Sequence, residues 1–275
     1  SETKPAELVF AIVGRPPDDV FIEPHKSREV PLLEVEGLAT GAVGPVSFHV
    51  EAGEIVGLAG LRGAGQNAIG RALCGIDLID SGDVRLAGKE IRITTPRDVI
   101  RRGVMFVTSN REAESLAHTL TVSENIFLNP GVRGRKLMHF RRRRGERSEA
   151  VRVIRSFSIR PEDPDRAVST LSGGNQQKAV LSRWLGLNAR LLVLEEPTMG
   201  VDVGAKADIY HMLAQELKGG SAALLVSSDF EEVAAICNRA LVFNRGRIVK
   251  EVSGDQLSTS NLTGLVSSSS DGDAA

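Results

Sequence analysis

The amino-acid sequence predicts an α/β fold in which helices flank a mostly parallel sheet. Short apolar runs recur along the chain, and three of them have the length and composition of buried parallel strands: Gly103–Val107, Leu191–Leu194 and Ala222–Val226. Helix-length segments separate these runs, and a glycine-rich turn joins a strand to a helix between Gly57 and Gly75. Such alternation of strands and helices is typical of a parallel sheet.

Length and composition exclude several classes of protein. With 275 residues, of which 41% are hydrophobic and 25% charged, the chain can bury a substantial core as one large α/β domain or two small ones. The net charge of -1 implies no global attraction to nucleic acid or anionic lipid. Cys74 and Cys237 have no metal-ligand or disulfide spacing, which fits a reducing, cytoplasmic location. No apolar stretch approaches the roughly 18 residues of a membrane span, and the opening SETKPAEL lacks the pattern of a signal peptide. We therefore expect any membrane role to act through a partner.

The first ninety residues are predicted to contain a linker and then antiparallel strands. Residues 1–30 include the stretch GRPPDDVFIEPHK, whose proline and charge content favours an extended linker. Pro31–Val56 alternates apolar and polar residues with intervening glycines, which predicts hairpins leading into the first core strand. Ser81–Arg92 predicts a small hairpin with turns at Gly82 and Gly88.

The glycine-rich turn has the spacing of a phosphate-binding loop. Gly60 and Gly65 are separated by four residues between a strand and a helix, and with Gly63 they can direct backbone N–H groups at phosphates. However, Gln66 stands where such loops have lysine, and Asn67 stands where they have serine or threonine. The charge that neutralises phosphate and the hydroxyl that binds Mg²⁺ are thus missing. A glycine turn that binds no nucleotide stays open as the alternative.

A second candidate anion site and a pair of acids follow. Ser172 precedes two glycines and the helical periodicity of Gln176–Leu187, which predicts a helix N-cap whose N–H groups could bind phosphate. An ordinary capped helix is the alternative. The strand Leu191–Leu194 then delivers Glu195 and Glu196 to its carboxyl end, where open α/β sheets bind ligands. One carboxylate there can hold Mg²⁺, and its neighbour can orient or deprotonate a water molecule.

The remaining segments carry weaker signals. Thr121–Ile126 predicts the start of a helix with Ser123 as its cap, and Leu241–Val249 predicts a terminal hairpin. The basic run Arg141–Arg144 raises a nucleic-acid or lipid-headgroup hypothesis, but we favour a solvated helix start because no aromatic platform accompanies it. Ser267–Ala275 has too little apolar content to pack and is predicted to be disordered.

Two segments together resemble a known family. LSGGNQQK at Leu171–Lys178 and LLVLEEPTMGVD at Leu191–Asp202 resemble the signature motif, Walker B and D-loop of ABC ATPases. The forms SGGNQQK and GVDVGAK resemble the second ATPase half of tandem monosaccharide-importer subunits, and ELVFAIVGR near the start resembles the end of a first half. The resemblance covers roughly residues 32–250 and implies a P-loop NTPase core of mostly parallel sheet with an antiparallel β subdomain (31–109 and 168–255), a helical subdomain (110–167) and a C-terminal tail (256–275).

The resemblance also implies which residues bind ATP and Mg²⁺. The degenerate Walker A loop would bind nucleotide through Gly60, Leu61, Arg62, Gly63, Ala64, Gly65, Gln66 and Asn67, and the signature would do so through Ser172, Gly173, Gly174 and Gln176. Glu196 takes the position of the catalytic base, Glu195 that of a weak metal ligand, and Asp202 that of the D-loop contact with an opposing domain.

Further family positions are altered in this chain. Thr108 and Ser109 occupy the place of a glutamine that reaches Mg²⁺, so Ser109 is at most a weak metal ligand. Ser228 occupies the place of the histidine that holds the γ-phosphate. Phe48 lies in the wrong context for the aromatic ring that stacks on adenine.

ABC ATPases work as head-to-tail pairs, so the pattern of losses implies a division of labour. The intact signature would complete an active ATP site on a first ATPase half, whereas this chain's own loop would bind ATP weakly, with Mg²⁺ weak or absent, and would have negligible activity alone. The implied partners are that first half, transmembrane permease subunits and, indirectly, a periplasmic sugar-binding protein, at the cytoplasmic face of the plasma membrane. The alternatives are a non-transport ABC ATPase and a structural pseudo-ATPase that docks on a membrane partner.

Overall fold

The computed structural model describes residues 30–129, 143–187 and 189–268, which belong to two compact units. The sheet unit contains residues 30–106, 189–196 and 216–268, and the helical unit contains residues 107–129, 143–187 and 197–215. Residues 1–29 of the predicted linker, the first two arginines of the basic run and the stretch 269–275 lie outside the described residues.

Strands and helices alternate through most of the chain. The strands are β1 (Pro31–Thr40), β2 (Val43–Glu51), β3 (Ile55–Ala59), β4 (Ser81–Leu86), β5 (Lys89–Glu90), β6 (Val104–Val107), β7 (Leu191–Glu195), β8 (Ala222–Ser227), β9 (Arg239–Asn244) and β10 (Arg247–Ser253). The helices are α1 (Gln66–Leu73), α2 (Pro96–Ile100), α3 (Val122–Ile126), α4 (Arg143–Ser156), α5 (Gly173–Ser182), α6 (Val203–Lys218), α7 (Phe230–Ile236) and α8 (Thr259–Ser268). Among these helices none combines the length and apolar content that crossing a bilayer requires.

The core of the sheet unit is a six-stranded, mostly parallel sheet in the order β10-β9-β3-β8-β7-β6. Strands β3, β7 and β8 are buried along their whole length, and β7 and β8 are apolar except at their last residues, Glu195 and Ser227, as the sequence predicts for a sheet covered on both faces. In the parallel register, Ala59 pairs with Ser227 and Glu195 pairs with Val226. The carboxyl ends of these three strands therefore meet at one edge of the sheet.

An antiparallel sheet in the order β2-β1-β4-β5 packs its apolar side chains into the same hydrophobic core. The burial of β2 alternates along the strand, which is the pattern from which its hairpin with β1 was predicted. Gly82, predicted as a turn, lies instead within β4 with φ +98°, and a Cβ there would be 2.5 Å from the backbone carbon of Gly37. The glycine thus permits a close backbone approach between β4 and β1.

The helical unit differs in detail from the predicted helix boundaries. The cap of α3 is Thr121 rather than Ser123, because the Thr121 side chain accepts from the backbone N–H of Glu124 while the Glu124 carboxylate accepts from the backbone N–H of Thr121. Helix α5 begins at Gly173, three residues before the predicted start at Gln176. Burial of α5 is nearly complete after its first turn, which the glycines at its start make possible.

The C-terminal region holds a helix that the sequence analysis did not predict. Residues 256–275 were expected to form a tail, but Thr259–Ser268 forms α8. Leu262 and Val266 of α8 are buried at 0% and 5% exposure, so an apolar pair one turn apart attaches this helix to the sheet unit.

Candidate functional site

The loop between β3 and α1 has a backbone suited to an anion. Gly63 and Gly65 have φ values of +87° and +107°, the left-handed conformations that glycine permits in a phosphate-binding turn. A Cβ at Gly65 would lie 2.9 Å from the Cα of Gly246, whereas a Cβ at Gly63 would meet no atom within 4 Å. Gly63 therefore faces open space, and Gly65 is required by close packing.

The Gln66 side chain forms hydrogen bonds inside this loop. Its side chain is fully buried, and its Nε2 donates to the carbonyl oxygens of Gly60 at 2.8 Å and Leu61 at 3.1 Å. Its Oε1 is buried and has no hydrogen-bond partner among the described residues. The amide thus supplies no positive charge to the loop and donates its hydrogen atoms to loop carbonyls, so a nucleotide-binding role for Gln66 stays a prediction.

Glu195 ends β7 and is engaged by two side chains of α1. The Asn67 Nδ2 donates to Glu195 Oε1 at 2.5 Å, and the Arg71 Nη1 lies 4.0 Å from Glu195 Oε2. Burial raises the pKa of the nearby Cys74 thiol, the Glu195 charge raises that pKa further, and Arg71 partly opposes the effect. Glu195 is therefore a buried carboxylate that accepts from Asn67 and lies beside Arg71, whose Nε is also 3.7 Å from Asp77.

Glu196 lies at the start of the next loop in a strained backbone conformation, with φ +44°. Its Oε1 accepts from the backbone N–H of Ser228 at 2.7 Å, and its Oε2 lies 3.2 Å from the Ser227 hydroxyl. Its own backbone N–H donates to Val226 at 2.9 Å. The predicted base and the predicted switch position Ser228 are thus in direct contact.

The signature segment lies in the helical unit at the start of α5. Ser172 occupies the N-cap position, but its side chain makes no capping bond and instead accepts from the Asn175 Nδ2 at 2.8 Å. A Cβ at Gly173 would lie 2.9 Å from the carbonyl oxygen of Gly200, and one at Gly174 would lie 2.6 Å from the Cβ of Ala205. Both glycines are therefore needed for the close approach of residues 200–205.

The other predicted residues of the helical unit have local structural contacts. Gln176 is buried, and its Nε2 donates to Val168 at 3.4 Å. Asp202 is exposed and caps α6, since its Oδ1 accepts from the Ala205 N–H at 2.9 Å. Ser109 is partly exposed. The loop, Glu195, Glu196 and Ser228 thus belong to the sheet unit, and Ser109, Asp202 and the signature residues belong to the helical unit.

Comparison with known proteins identifies the family. The ABC transporter family matches residues 43–199, more than half of the chain. The chain belongs to this family. Solved ATP-binding cassettes share its fold: one in an ADP conformation has a TM-score of 0.71 at 20% identity, covering 86% of this chain and 95% of the cassette. A nucleotide-free cassette has a TM-score of 0.70 at 21% identity, covering 85% and 95%.

The relatives among curated proteins are about twice as long as this ABC domain. A ribose import ATP-binding protein of Rubrobacter xylanophilus is 38% identical over 270 residues, which cover 96% of this chain and 53% of the relative. An arabinose import ATP-binding protein of Pseudomonas savastanoi is 38% identical over 259 residues, which cover 94% and 51%. The chain therefore spans about half the length of the curated relatives it matches.

ABC ATPases in general bind ATP with Mg²⁺. The positive φ values of Gly63 and Gly65 are compatible with a loop that surrounds a phosphate. Glu195, the carboxylate predicted to bind Mg²⁺, accepts from Asn67 and lies 4.0 Å from the Arg71 guanidinium. Among the described residues no group of three His, Cys, Asp or Glu side chains could hold a metal ion.

Sequence reasoning placed Asn67 in the loop but missed that Asn67 and Arg71 both contact Glu195. Asn67 and Arg71 are four residues apart and lie on the same face of α1, and this spacing was the available signal for a shared target. Ser227 carried no signal beyond its place at a strand end. Arg111, which lies beside the signature glycines, was also missed.

Proposed function

We propose that this chain is the ATP-binding domain of a bacterial sugar ABC importer and forms the second half of a tandem subunit. Relatives that cover it almost completely are named as ribose and arabinose import ATP-binding proteins. The coverage of only about half of each relative supports a subunit with another ATPase half. The forms SGGNQQK and GVDVGAK support the second position.

The observation that carries the mechanism is the contrast between the two nucleotide-binding elements. Ser172, at the start of α5, is exposed and its side chain makes no capping bond, whereas Glu195 accepts from Asn67 and lies beside Arg71. In this proposal Ser172, Gly173, Gly174 and Gln176 complete the ATP site of the first half. The chain's own loop, Gly60–Asn67, binds nucleotide weakly and without Mg²⁺, and Glu196 lacks a competent site for its role as a base.

The proposal assigns partners and a location. The domain acts on the cytoplasmic face of the plasma membrane, where it docks on transmembrane permease subunits served by a periplasmic sugar-binding protein. ATP hydrolysis by the pair supplies energy for sugar import, and the isolated chain hydrolyses ATP weakly or not at all. A loss of the loop cation, the Mg²⁺ ligand and the switch histidine together removes most transition-state stabilisation at its own site.

A structural pseudo-ATPase is the second candidate, because the internal balance at Glu195 needs no nucleotide. A chimera separates the two candidates. In it, this chain replaces the matched half of the Rubrobacter xylanophilus relative, and ATP binding and hydrolysis are measured for the chimera and for the isolated chain.

We expect the chimera to hydrolyse ATP, Ser172→Arg to abolish hydrolysis, and Ser260→Arg on the exposed face of α8 to leave it unchanged. Hydrolysis that persists in Ser172→Arg would contradict the trans role of the signature. Turnover by the isolated chain that disappears in Glu196→Gln would contradict the assignment of an inactive loop.

A further inference from the structure

Arg111 places a positive charge beside the signature glycines within the helical unit. It is the first residue of a single π-helical turn, Arg111–Ser115, and its side chain is directed at α5. Its Nη1 donates to the Gln177 Oε1 at 3.3 Å, and its Nη2 lies 3.4 Å from the position that a Cβ on Gly173 would occupy. The guanidinium is therefore adjacent to the backbone on which the trans ATP site depends.

Arg111 forms no ion pair within the part of the chain that the structure describes. Among the described residues no carboxylate lies within the 4.0 Å of an ion pair with it, and its Nε is buried without a hydrogen-bond partner. Of the acids that follow it, Glu112 is exposed, and Glu114 accepts from the Thr108 hydroxyl at 2.9 Å. Burial lowers the pKa of Arg111, and the nearby Glu112 partly opposes this, but a guanidinium stays charged at neutral pH.

The neutral contact with Gln177 orients the guanidinium without cancelling its charge. An amide oxygen accepts one N–H and fixes the plane of the guanidinium, which leaves other N–H groups of the fork for a second acceptor. A carboxylate in the same place would have formed an ion pair and removed the charge. Gln177 is itself buried, so the position is built into α5 rather than adopted by a free surface side chain.

We propose that Arg111 is a further binding residue of the composite ATP site to which the signature contributes. The inference rests on the proposed function, because the ligand is the terminal phosphate of a nucleoside triphosphate held by the partner half. The start of α5 offers N–H groups and a positive dipole end, and Arg111 adds a full positive charge on the flank of Gly173. The terminal phosphate distinguishes ATP from ADP, so Arg111 favours the triphosphate.

The test uses the chimera described above with Arg111→Gln, Arg111→Lys and the control Arg152→Gln, which changes an exposed arginine of α4 in the same unit. ATP hydrolysis gives KM for ATP, and inhibition by ADP gives the affinity for the diphosphate. We expect Arg111→Gln to raise KM for ATP about tenfold, the change that a lost charged hydrogen bond of ~1.4 kcal/mol produces. We expect the affinity for ADP to change by less than about twofold, because ADP lacks the phosphate that Arg111 contacts.

The remaining outcomes separate this inference from a structural role and from the proposed function. Arg111→Lys is expected to retain an intermediate KM, because lysine keeps the charge but not the planar fork. Wild-type KM in Arg111→Gln, equal losses of ATP and ADP affinity, or equal KM in the Gln and Lys variants would overturn the inference. An inactive wild-type chimera would overturn the proposed function and this inference with it, whereas an active, Ser172-dependent chimera with an unchanged Arg111→Gln would overturn the inference alone.

Discussion

The balance of charge at Glu195 leads to a prediction that needs no nucleotide. Asn67→Asp replaces an amide donor that lies 2.5 Å from Glu195 Oε1 with a second carboxylate of nearly the same shape. The variant loses a hydrogen bond to a charged group and gains like-charge repulsion at a site where Glu195 is only 4% exposed. Together these effects should cost about 2–4 kcal/mol of unfolding free energy.

Thermal unfolding followed by fluorimetry measures this cost directly. For a protein of this size, the change corresponds to a midpoint lowered by about 3–7 °C in the presence of EDTA. Two facing carboxylates can bind a divalent cation, so Mg²⁺ or Ca²⁺ at about 100 times its Kd should return roughly 2.7 kcal/mol to the variant. The wild-type midpoint should be the same in EDTA and in Mg²⁺, since Glu195 already accepts from Asn67 and lies beside the positive charge of Arg71.

The control is Asn261→Asp on α8, where the Asn261 Nδ2 donates to the carbonyl of Gln256 and contacts no carboxylate in the described structure. It should show no recovery with divalent cations. Stabilisation of the wild-type chain by Mg²⁺ in the absence of nucleotide would refute the reasoning. An Asn67→Asp variant as stable as the wild type in EDTA would refute it equally.

Two further predictions concern the helical unit. Gly174→Ala places a methyl group 2.6 Å from the Cβ of Ala205 and should lower the unfolding free energy measured in urea by about 1–3 kcal/mol. The control Gly264→Ala on α8, where a Cβ would have no atom within 4 Å, should not lower it. Equal effects of the two substitutions would contradict the close approach at Gly174. Hydrogen bonds from the backbone and then the side chain of Thr121 lower the pKa of Glu124 from 4.5, so the stability that this carboxylate contributes is present above pH 4.5 and is lost as the pH falls through the lowered pKa. In Glu124→Gln, the unfolding free energy measured in urea should therefore fall less steeply as the pH decreases below 4.5. An unchanged dependence on pH would show that the capping box contributes nothing to it.

The fold was largely predictable because burial selects apolar residues along whole strands. β7 and β8 are continuous apolar runs bounded by polar residues, so their length, type and parallel pairing followed from the sequence. Helix ends were less predictable. Thr121 and Ser123 are both good capping residues. Thr121 is the cap because the Glu124 side chain accepts a hydrogen bond from the backbone N–H of Thr121. α8 was missed because serine and threonine dominate its sequence, and its stability comes from the packing of Leu262 and Val266.

The sequence predicted the positions of the candidate site residues along the chain, but it did not predict their contacts. Spacing alone located Gly60–Asn67 and the pair of acids after β7. The bond between Asn67 and Glu195 joins residues 128 positions apart, and it depends on the side-chain orientation of both partners. The hydrogen bond between Arg111 and Gln177 likewise joins residues 66 positions apart. It depends on packing within the helical unit, and no local sequence pattern predicts it.

The bond pattern of Gln66 bears on how this domain behaves when ATP is scarce. A loop that is shaped by its ligand becomes less ordered when the ligand leaves, and the protein then becomes easier to unfold and to digest. Here the shape comes from an amide inside the loop, which donates to the carbonyls of Gly60 and Leu61. The loop should therefore keep its shape without nucleotide, and the protease resistance of the isolated chain should change little when nucleotide is added.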